Sequence, residues 1–143
     1  MLINQLSIFI ENRKGRLEEI TRILGENDID IRALSIADTT DYGILRLIVN
    51  DSSKAEQVLS KNNITVSITK VLAIAVSNTP GGLHGAIKVL SSNDIEIEYM
   101  YAFINPKKDA AFVVIRVEDN DKASEILQDG GISMLQNSDL ELN

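Results

Sequence analysis

Two short loops of the sequence carry residue types that suit the binding of a charged small molecule. They read Asn12-Arg13-Lys14-Gly15-Arg16-Leu17 and Asn78-Thr79-Pro80-Gly81-Gly82-Leu83, and apolar residues at helical spacing follow each of them. The first N–H groups of a helix attract anions, and glycine allows the backbone to approach a ligand closely. The side-chain oxygens of Asn12 and Asn78 can accept hydrogen bonds from an ammonium group. Donors for a carboxylate beside acceptors for an ammonium are what an amino acid requires.

Two other interpretations of these loops stay open. The glycines can serve simply to permit a turn, and the asparagines can serve as helix caps. The basic first loop, with Arg13 and Arg16, also suits a phosphate group, so a small phosphate-handling enzyme is an alternative. Neither loop continues with the Gly-Lys-Ser/Thr of a phosphate-binding loop, and the sequence shows no general acid–base set. We therefore expect no catalytic residues and no enzymatic activity.

Composition disfavours several further classes of function. The 143 residues include no cysteine and a single histidine, His84, so neither thiolate chemistry nor a metal site is expected. The net charge of −7 disfavours nucleic acid as a partner. The longest apolar runs, 71–76 and 110–115, are too short to cross a membrane, and no secretory signal is visible at the first residues. We expect a cytoplasmic protein without cofactors and without a membrane partner.

An internal repeat organises the chain. A shift of 66 residues makes eight of the twenty positions from 12 to 31 identical to their counterparts, including Asn27-Asp28-Ile29 and Asn93-Asp94-Ile95. Further along, a shift of 68 residues aligns Lys54-Ala55 with Lys122-Ala123. The two extra residues of the second copy fall near position 106, in a stretch with turn chemistry. The preserved order of matches indicates a duplication.

Each copy is predicted to fold as β-α-β-β-α-β. Alternating or continuous apolar residues predict the strands, and apolar residues three and four positions apart predict the helices between them. The predicted strands are 5–10, one beginning at 29, 44–49 and 64–68 in the first copy, and 71–76, one beginning at 95, 111–117 and 132–135 in the second. Ser52 and Asn120 are predicted as helix caps, and Thr79-Pro80 as a cap followed by the first helical residue.

The repeated pattern predicts an α+β fold of two tandem ferredoxin-like repeats. Two split β-α-β units in each copy describe an antiparallel sheet with both helices on one face. No stretch rich in Pro, Gly or Ser separates the copies, because Thr69-Lys70 leads directly into Val71. We therefore expect two closely fused domains, residues 1–69 and 70–143, joined side by side.

Each copy resembles an ACT domain, a small regulatory module attached to enzymes of amino-acid metabolism. The resemblance rests on the two loops, on Asn-Asp-Ile-Asp-Ile at 27–31 and Asn-Asp-Ile-Glu-Ile at 93–97, and on Ile97-Glu98-Tyr99-Met100-Tyr101-Ala102-Phe103. These motifs occur in order over nearly the whole chain, which is similar to stand-alone tandem ACT proteins. The resemblance implies ferredoxin-like repeats that bind an amino acid.

The resemblance also implies where a ligand lies. Paired ACT domains join edge to edge through their second strands, so that each loop faces the start of its neighbour's second strand. Serine-sensing relatives have asparagines at that start, where this chain has Asp30 and Glu96, and a histidine where it has Ile10 and Val76. These departures predict a carboxylate–ammonium pair and a more apolar contact than serine needs. The predicted ligand-binding residues are Asn12, Arg13, Gly15, Arg16, Leu17, Asp30, Asn78, Thr79, Gly81, Gly82, Leu83 and Glu96.

Together these inferences predict a regulatory protein that senses an amino acid and acts in trans through ligand-dependent association. The expected partners are a second copy of the chain, in a homodimer, and an enzyme of amino-acid biosynthesis. The alternative is a ligand-free regulatory or assembly subunit, similar to the small subunit of acetolactate synthase. The duplicated Asn…Gly…Leu pattern favours the sensor, because a pure assembly module has no need of it.

Overall fold

The computed structural model describes residues 2–11, 13–38, 41–105 and 109–142, so the predicted ligand-binding residue Asn12 lies outside the described residues. The described elements follow one another as β1 (Ile3–Glu11), α1 (Arg16–Glu26), β2 (Ile31–Asp38), β3 (Tyr42–Val49), α2 (Ser52–Lys61), β4 (Val66–Ser77), α3 (Gly82–Ser91), β5 (Tyr99–Asn105), β6 (Ala110–Arg116), α4 (Asn120–Asp129), β7 (Ser133–Met134) and a 3-10 helix (Asn137–Leu140). This order confirms the predicted β-α-β-β-α-β pattern in both copies, with β4 serving as the last strand of one and the first of the other.

The duplication extends to local geometry at the ends of α1 and α3. The side-chain amide nitrogens of Asn27 and Asn93 each donate to the carbonyl oxygen four residues earlier, at 2.8 Å. The next residues, Asp28 and Asp94, have positive φ angles of 57° and 56°. Aspartate tolerates this left-handed conformation better than most residues, and it turns the chain out of the helix. The repeated Asn-Asp pair therefore ends both helices in the same way.

The N-terminal unit comprises residues 4–69 together with 140–143. Its strands lie in the order β2-β3-β1-β4, and β3 pairs antiparallel with both β1 and β2. Both helices pack on one face of this sheet, because one buried cluster combines strand and helix side chains. The fully buried members of the cluster are Leu6, Ile8, Ile20, Leu24, Leu45, Ala55 and Leu59. Ser7 and Thr69 share a 3.0 Å hydrogen bond between their hydroxyl groups on the other face.

The C-terminal unit comprises residues 70–139 together with the first residues of the chain. In this unit β4 pairs antiparallel with β6 and β7, and β6 also pairs antiparallel with β5. Its buried cluster again joins one sheet face to two helices, and Leu2 packs against it. The fully buried members are Leu72, Ile74, Ala86, Leu90, Ile115, Val117, Ala123 and Leu127.

Several predicted strand boundaries are wrong. The strands predicted at 64–68 and 71–76 form one continuous strand, β4, because no residue between them stops an extended backbone. The strands predicted to begin at Ile29 and Ile95 begin instead at Ile31 and Tyr99. Ile95 and Ile97 alternate as strand residues do, yet they contribute to the core from an irregular segment. No helix among the described residues has the length and apolar character needed to cross a membrane.

Candidate ligand-binding site

The helices that follow the two predicted loops begin with a distinctive backbone conformation. Gly15 precedes α1 with φ 89° and ψ −8°, and Gly81 precedes α3 with φ 87° and ψ −7°. This left-handed conformation is accessible to glycine and costly for a residue with a Cβ atom. Because glycine has no side chain, α1 and α3 receive no side-chain cap from these positions. The N–H groups of Arg16 and Gly82 donate to the carbonyl oxygens of Arg13 and Thr79. It is therefore the next N–H groups of each helix start that can donate to an anion.

The other two helices begin with a cap. The carboxylates of Asp51 and Asp119 accept from the backbone N–H three residues further on, at 3.0 and 3.1 Å. The prediction that Ser52 and Asn120 cap these helices is therefore wrong, because each is the first helical residue and the aspartate before it has the extended backbone of a cap. The predicted cap at Thr79-Pro80 is also wrong, because α3 starts after Gly81.

The loop of the N-terminal unit borders a cavity of about 390 Å³, called here the first-loop cavity. The end of β1, the loop itself, the first turn of α1, and parts of β2 and β3 surround it. Its lining residues are Ile10, Glu11, Arg13, Lys14, Arg16, Leu17, Ile36 and Gly43. The structure thus brings together Arg13, Arg16 and Leu17 of the predicted site.

Strand pairing explains why residues distant in sequence line this cavity. Ile10 lies opposite Gly43 in the pairing of β1 with β3, and Ile36 lies opposite Leu45 in the pairing of β2 with β3. A Cβ atom on Gly43 would lie 3.3 Å from the carbonyl oxygen of Ala37 and 3.5 Å from Cγ1 of Ile10. Glycine therefore lets β2 and β3 close tightly beside the loop. Sequence analysis did not assign Glu11, Lys14, Ile36 or Gly43 to the site. Strand register brings Ile36 and Gly43 there, whereas Glu11 and Lys14 belong to the same contiguous segment as Arg13.

Two arginines at the first-loop cavity, Arg13 and Arg16, share one acidic partner, Glu19. The Arg16 guanidinium lies 3.1 Å from Glu19 Oε2, and the Arg13 guanidinium lies 3.8 Å from the same oxygen. Arg16 is well covered, with 20% of its side chain exposed, whereas 59% of the Arg13 side chain is exposed. One carboxylate cannot neutralise two guanidinium groups, so the cluster keeps an excess positive charge. That charge lies at the start of α1, where an anion is already favoured.

The corresponding loop of the C-terminal unit is neutral and more tightly folded. A Cβ atom on Gly82 would collide with the carbonyl oxygen of Ser77, so the helix start presses against the end of β4. The hydroxyl groups of Ser77 and Thr79 share a hydrogen bond of 2.9 Å. Leu83 packs against the core, whereas its counterpart Leu17 lines the first-loop cavity. The predicted residues Asn78, Thr79 and Gly81 are exposed.

Asp30 lies far from the loop of its own unit. It precedes β2, and its backbone N–H donates to the side-chain oxygen of Asn50 at 2.9 Å. The loop follows Glu11, which lies opposite Tyr42 in the register. The eight residue steps from Tyr42 to Asn50, just beyond the end of β3, correspond to roughly 25 Å. The Asp30 carboxylate pairs with Arg32 instead.

Glu96 likewise lies at the end of its sheet opposite the loop. The backbone N–H of Glu98, two residues on, donates to the carbonyl oxygen of Arg116, whereas Ser77, next to the loop, pairs with Ala110. Glu96 borders a different cavity of about 250 Å³, which carries five carboxylates and a single lysine. Its lining residues are Asp94, Ile95, Glu96, Glu98, Glu118, Asp119 and Lys122. This cavity disfavours anions, in contrast to the first-loop cavity.

No metal centre is apparent in the part of the chain that the structure describes, since no three side chains suited to hold an ion lie together there. His84 is exposed on α3. The described lining of the first-loop cavity consists of charged and aliphatic residues and glycine, without a histidine or hydroxyl group. This arrangement can bind a charged molecule by contact and hydrogen bonding.

The chain has two ferredoxin-like repeats, and in each a helix begins directly after the glycine that follows the first strand. This arrangement is that of a class of regulatory modules. The family described as an ACT domain pair matches residues 1–142, and the chain belongs to this family. This match confirms the resemblance that the two loops and the Asn-Asp motifs indicated. ACT domain pairs are regulatory domains, so the chain carries a regulatory fold.

Solved structures share the fold of this chain. A protein of Bacteroides thetaiotaomicron is 44% identical, with a TM-score of 0.92, and the match covers 99% of this chain and 96% of that one. The ligand-free regulatory subunit of aspartate kinase from Thermus thermophilus shares the fold at 14% identity, with a TM-score of 0.63 and coverage of 89% and 91%. The corresponding subunit from Thermus flavus is 15% identical, with a TM-score of 0.61 and coverage of 92% and 94%. None of the curated proteins compared with the chain is similar to it.

Proposed function

We propose that this protein binds an amino acid in the first-loop cavity and regulates a partner in trans. The observation that carries the proposal is the composition of that cavity. An uncapped helix start and two arginines offer donors to a carboxylate. Membership of a regulatory family supports binding rather than catalysis as the purpose of these groups.

Association through the edge strand β2 is the second part of the proposal. Strand β2 lies at the end of the strand order, and the side chains of Leu34 and Ile36 on it are 53% and 43% exposed. An exposed apolar edge strand offers a pairing surface to another chain. We propose that a second copy pairs here in a twofold arrangement, in which antiparallel strands bring Asp30 of one copy toward the loop of the other.

Ligand and association would then be coupled through Ile36. This residue lines the first-loop cavity and also lies on the β2 edge. A ligand that contacts Ile36 stabilises the arrangement in which the edge is paired, by at most its difference in affinity for the two states. Such coupling free energies are typically about 1–3 kcal/mol, or roughly 5- to 150-fold in affinity.

A thermal-shift screen of the full chain against the twenty amino acids at millimolar concentration tests the binding. A ligand at about 100 times its Kd stabilises the folded state by about 2.7 kcal/mol, which gives a measurable rise in Tm. Light scattering during size-exclusion chromatography measures the molar mass with and without the amino acid that binds, and so tests the association. A folded protein whose Tm responds to no amino acid would contradict the proposal.

An assembly module without a ligand is the second candidate, and one observation favours it. Phe9 and Tyr42 are 68% and 47% exposed, and their ring centroids lie 5.9 Å apart. The neighbours of Phe9 along β1, Ile8 and Ile10, point into the core, so Phe9 lies on the face of the sheet without helices. Exposed apolar patches mark interaction sites.

A further inference from the structure

We infer that the first-loop cavity takes an acid with an apolar side chain, aliphatic or aromatic, and that each chain binds one such molecule. The inference rests on the proposed function and adds the chemical class of the ligand and the number of sites. It follows from three features of the structure: the side chains that line the cavity, the state of its arginines, and the contrast with the second loop.

The walls of the cavity are aliphatic wherever they are uncharged. Ile10, Leu17, Ile36 and Gly43 form this part, and no neutral polar side chain is among the described lining residues. A hydroxyl, amide or charged group that lies against these aliphatic residues would lose water without gaining a partner there. An apolar side chain would instead cover Leu17 and Ile36, which are 40% and 43% exposed. The wall therefore selects for apolar side chains.

Arg13 can offer its guanidinium group to the ligand carboxylate. Arg16 is held by Glu19 at 3.1 Å, whereas Arg13 is 3.8 Å from that carboxylate and largely exposed. Arg13 can therefore turn to a second carboxylate without breaking the Arg16–Glu19 pair. Guanidinium and carboxylate groups form paired hydrogen bonds that are stronger than those between neutral groups.

The loop of the C-terminal unit lacks each of these features. Thr79 and Pro80 replace Arg13 and Lys14 under the 66-residue shift, and Gly82 replaces Arg16. Gly82 presses against Ser77, and Leu83 turns into the core. The loop of the C-terminal unit shares the helix start after a glycine, but it lacks the arginines and the exposed aliphatic side chains of the first loop. The inferred stoichiometry is therefore one ligand per chain.

Titration calorimetry on the full chain tests this inference. The probes are L-leucine and L-phenylalanine for the apolar class, and L-serine, L-aspartate and L-lysine for the polar class. We expect L-leucine or L-phenylalanine to bind at one per chain, with a Kd at least about tenfold lower than that of any polar probe. Arg13→Gln should raise that Kd about tenfold or more.

Arg22→Gln is the matched control, because Arg22 is an exposed arginine of α1, the helix after the loop, and it pairs with Glu18 and Glu26 outside the cavity. It should leave the Kd unchanged. The Tm of each variant without ligand tests whether its fold is intact. We expect Arg13→Gln to fold normally, because the Arg13 side chain is largely exposed.

The outcomes separate this inference from the proposed function. Tighter binding of L-serine, L-aspartate or L-lysine would overturn the apolar class while leaving amino-acid binding intact. Two molecules per chain, or binding unaffected by Arg13→Gln, would overturn the single site at the first loop. If none of the twenty amino acids binds the folded protein, the proposed function itself fails.

Discussion

Gly15 and Gly81 lie 66 residues apart and adopt the same left-handed conformation, with φ angles of 89° and 87°. Each ends a loop after the first strand of its copy and immediately precedes a helix. The two copies thus share the left-handed glycine before the helix, whereas the side chains around it differ. The first copy surrounds its glycine with arginines and the second with neutral residues, so one backbone geometry carries two different electrostatic environments.

The backbone at Gly15 gives a prediction about stability. Gly15→Ala should destabilise the protein by about 1–2 kcal/mol, because a Cβ atom is strained at positive φ. That Cβ would meet nothing within 4 Å, so strain alone accounts for the loss. Urea denaturation measures it. Gly85→Ala is the control, because Gly85 lies inside α3, also with open space around it, and alanine should stabilise that helix by about 0.5–1 kcal/mol. Equal effects at the two sites would contradict this account.

The aspartate caps give a second prediction. Asp51→Ala should lower the free energy of unfolding by about 1 kcal/mol, because the backbone N–H of Lys54 loses its 3.0 Å acceptor. Asp51→Asn should be nearly neutral, since asparagine is an equally good cap. Denaturant melts of the two variants make the comparison. A large loss in Asp51→Asn would show that the negative charge, rather than the hydrogen bond, stabilises the helix start.

Sequence patterns reveal local features of this fold more readily than long-range ones. The glycines at 15 and 81 and the Asn-Asp pairs are evident in the sequence, because each acts through the conformation of its own few residues. The choice between Ser52 and Asp51 as the cap is also local, but it depends on where the first helical turn begins. A shift of one residue changes the answer, and both residue types are good caps.

The first-loop cavity could be predicted in part, and the limit has a physical reason. Arg13, Arg16 and Leu17 belong to one contiguous segment, so their proximity follows from the loop itself. Ile36 and Gly43 reach the site through strand pairing. The register depends on every pair along β3, and it shifts at the irregularity between Ile31 and Ala33. Such a shift moves side chains to the other face, and sequence spacing alone does not reveal it.

The last residues of the described chain give a third prediction. Leu140 belongs to the N-terminal unit and is 4% exposed, and Arg32 pairs with Glu141 at 3.4 Å. Leu140→Ala should destabilise the protein by about 2–4 kcal/mol through loss of buried surface and the cavity left behind. Glu141→Gln should cost less than about 1 kcal/mol, because that ion pair is partly exposed and screened by salt. Urea melts at low and high salt separate the two contributions.

Substitutions on two surfaces distinguish the edge strand from the helix-free sheet face as the site of association. Leu34→Glu places a charge on the exposed edge of β2, and in a twofold pairing the two introduced carboxylates face the same interface. Like charges brought together in an interface cost several kcal/mol, so we expect the dimer that we propose to dissociate at micromolar concentration. Phe9→Glu makes the same change on the helix-free face, where Phe9 is 68% exposed, and should leave the edge pairing intact. Sedimentation velocity measures both, with Tm as the check on folding. Dissociation by Phe9→Glu and not by Leu34→Glu would instead support assembly through the patch of Phe9 and Tyr42.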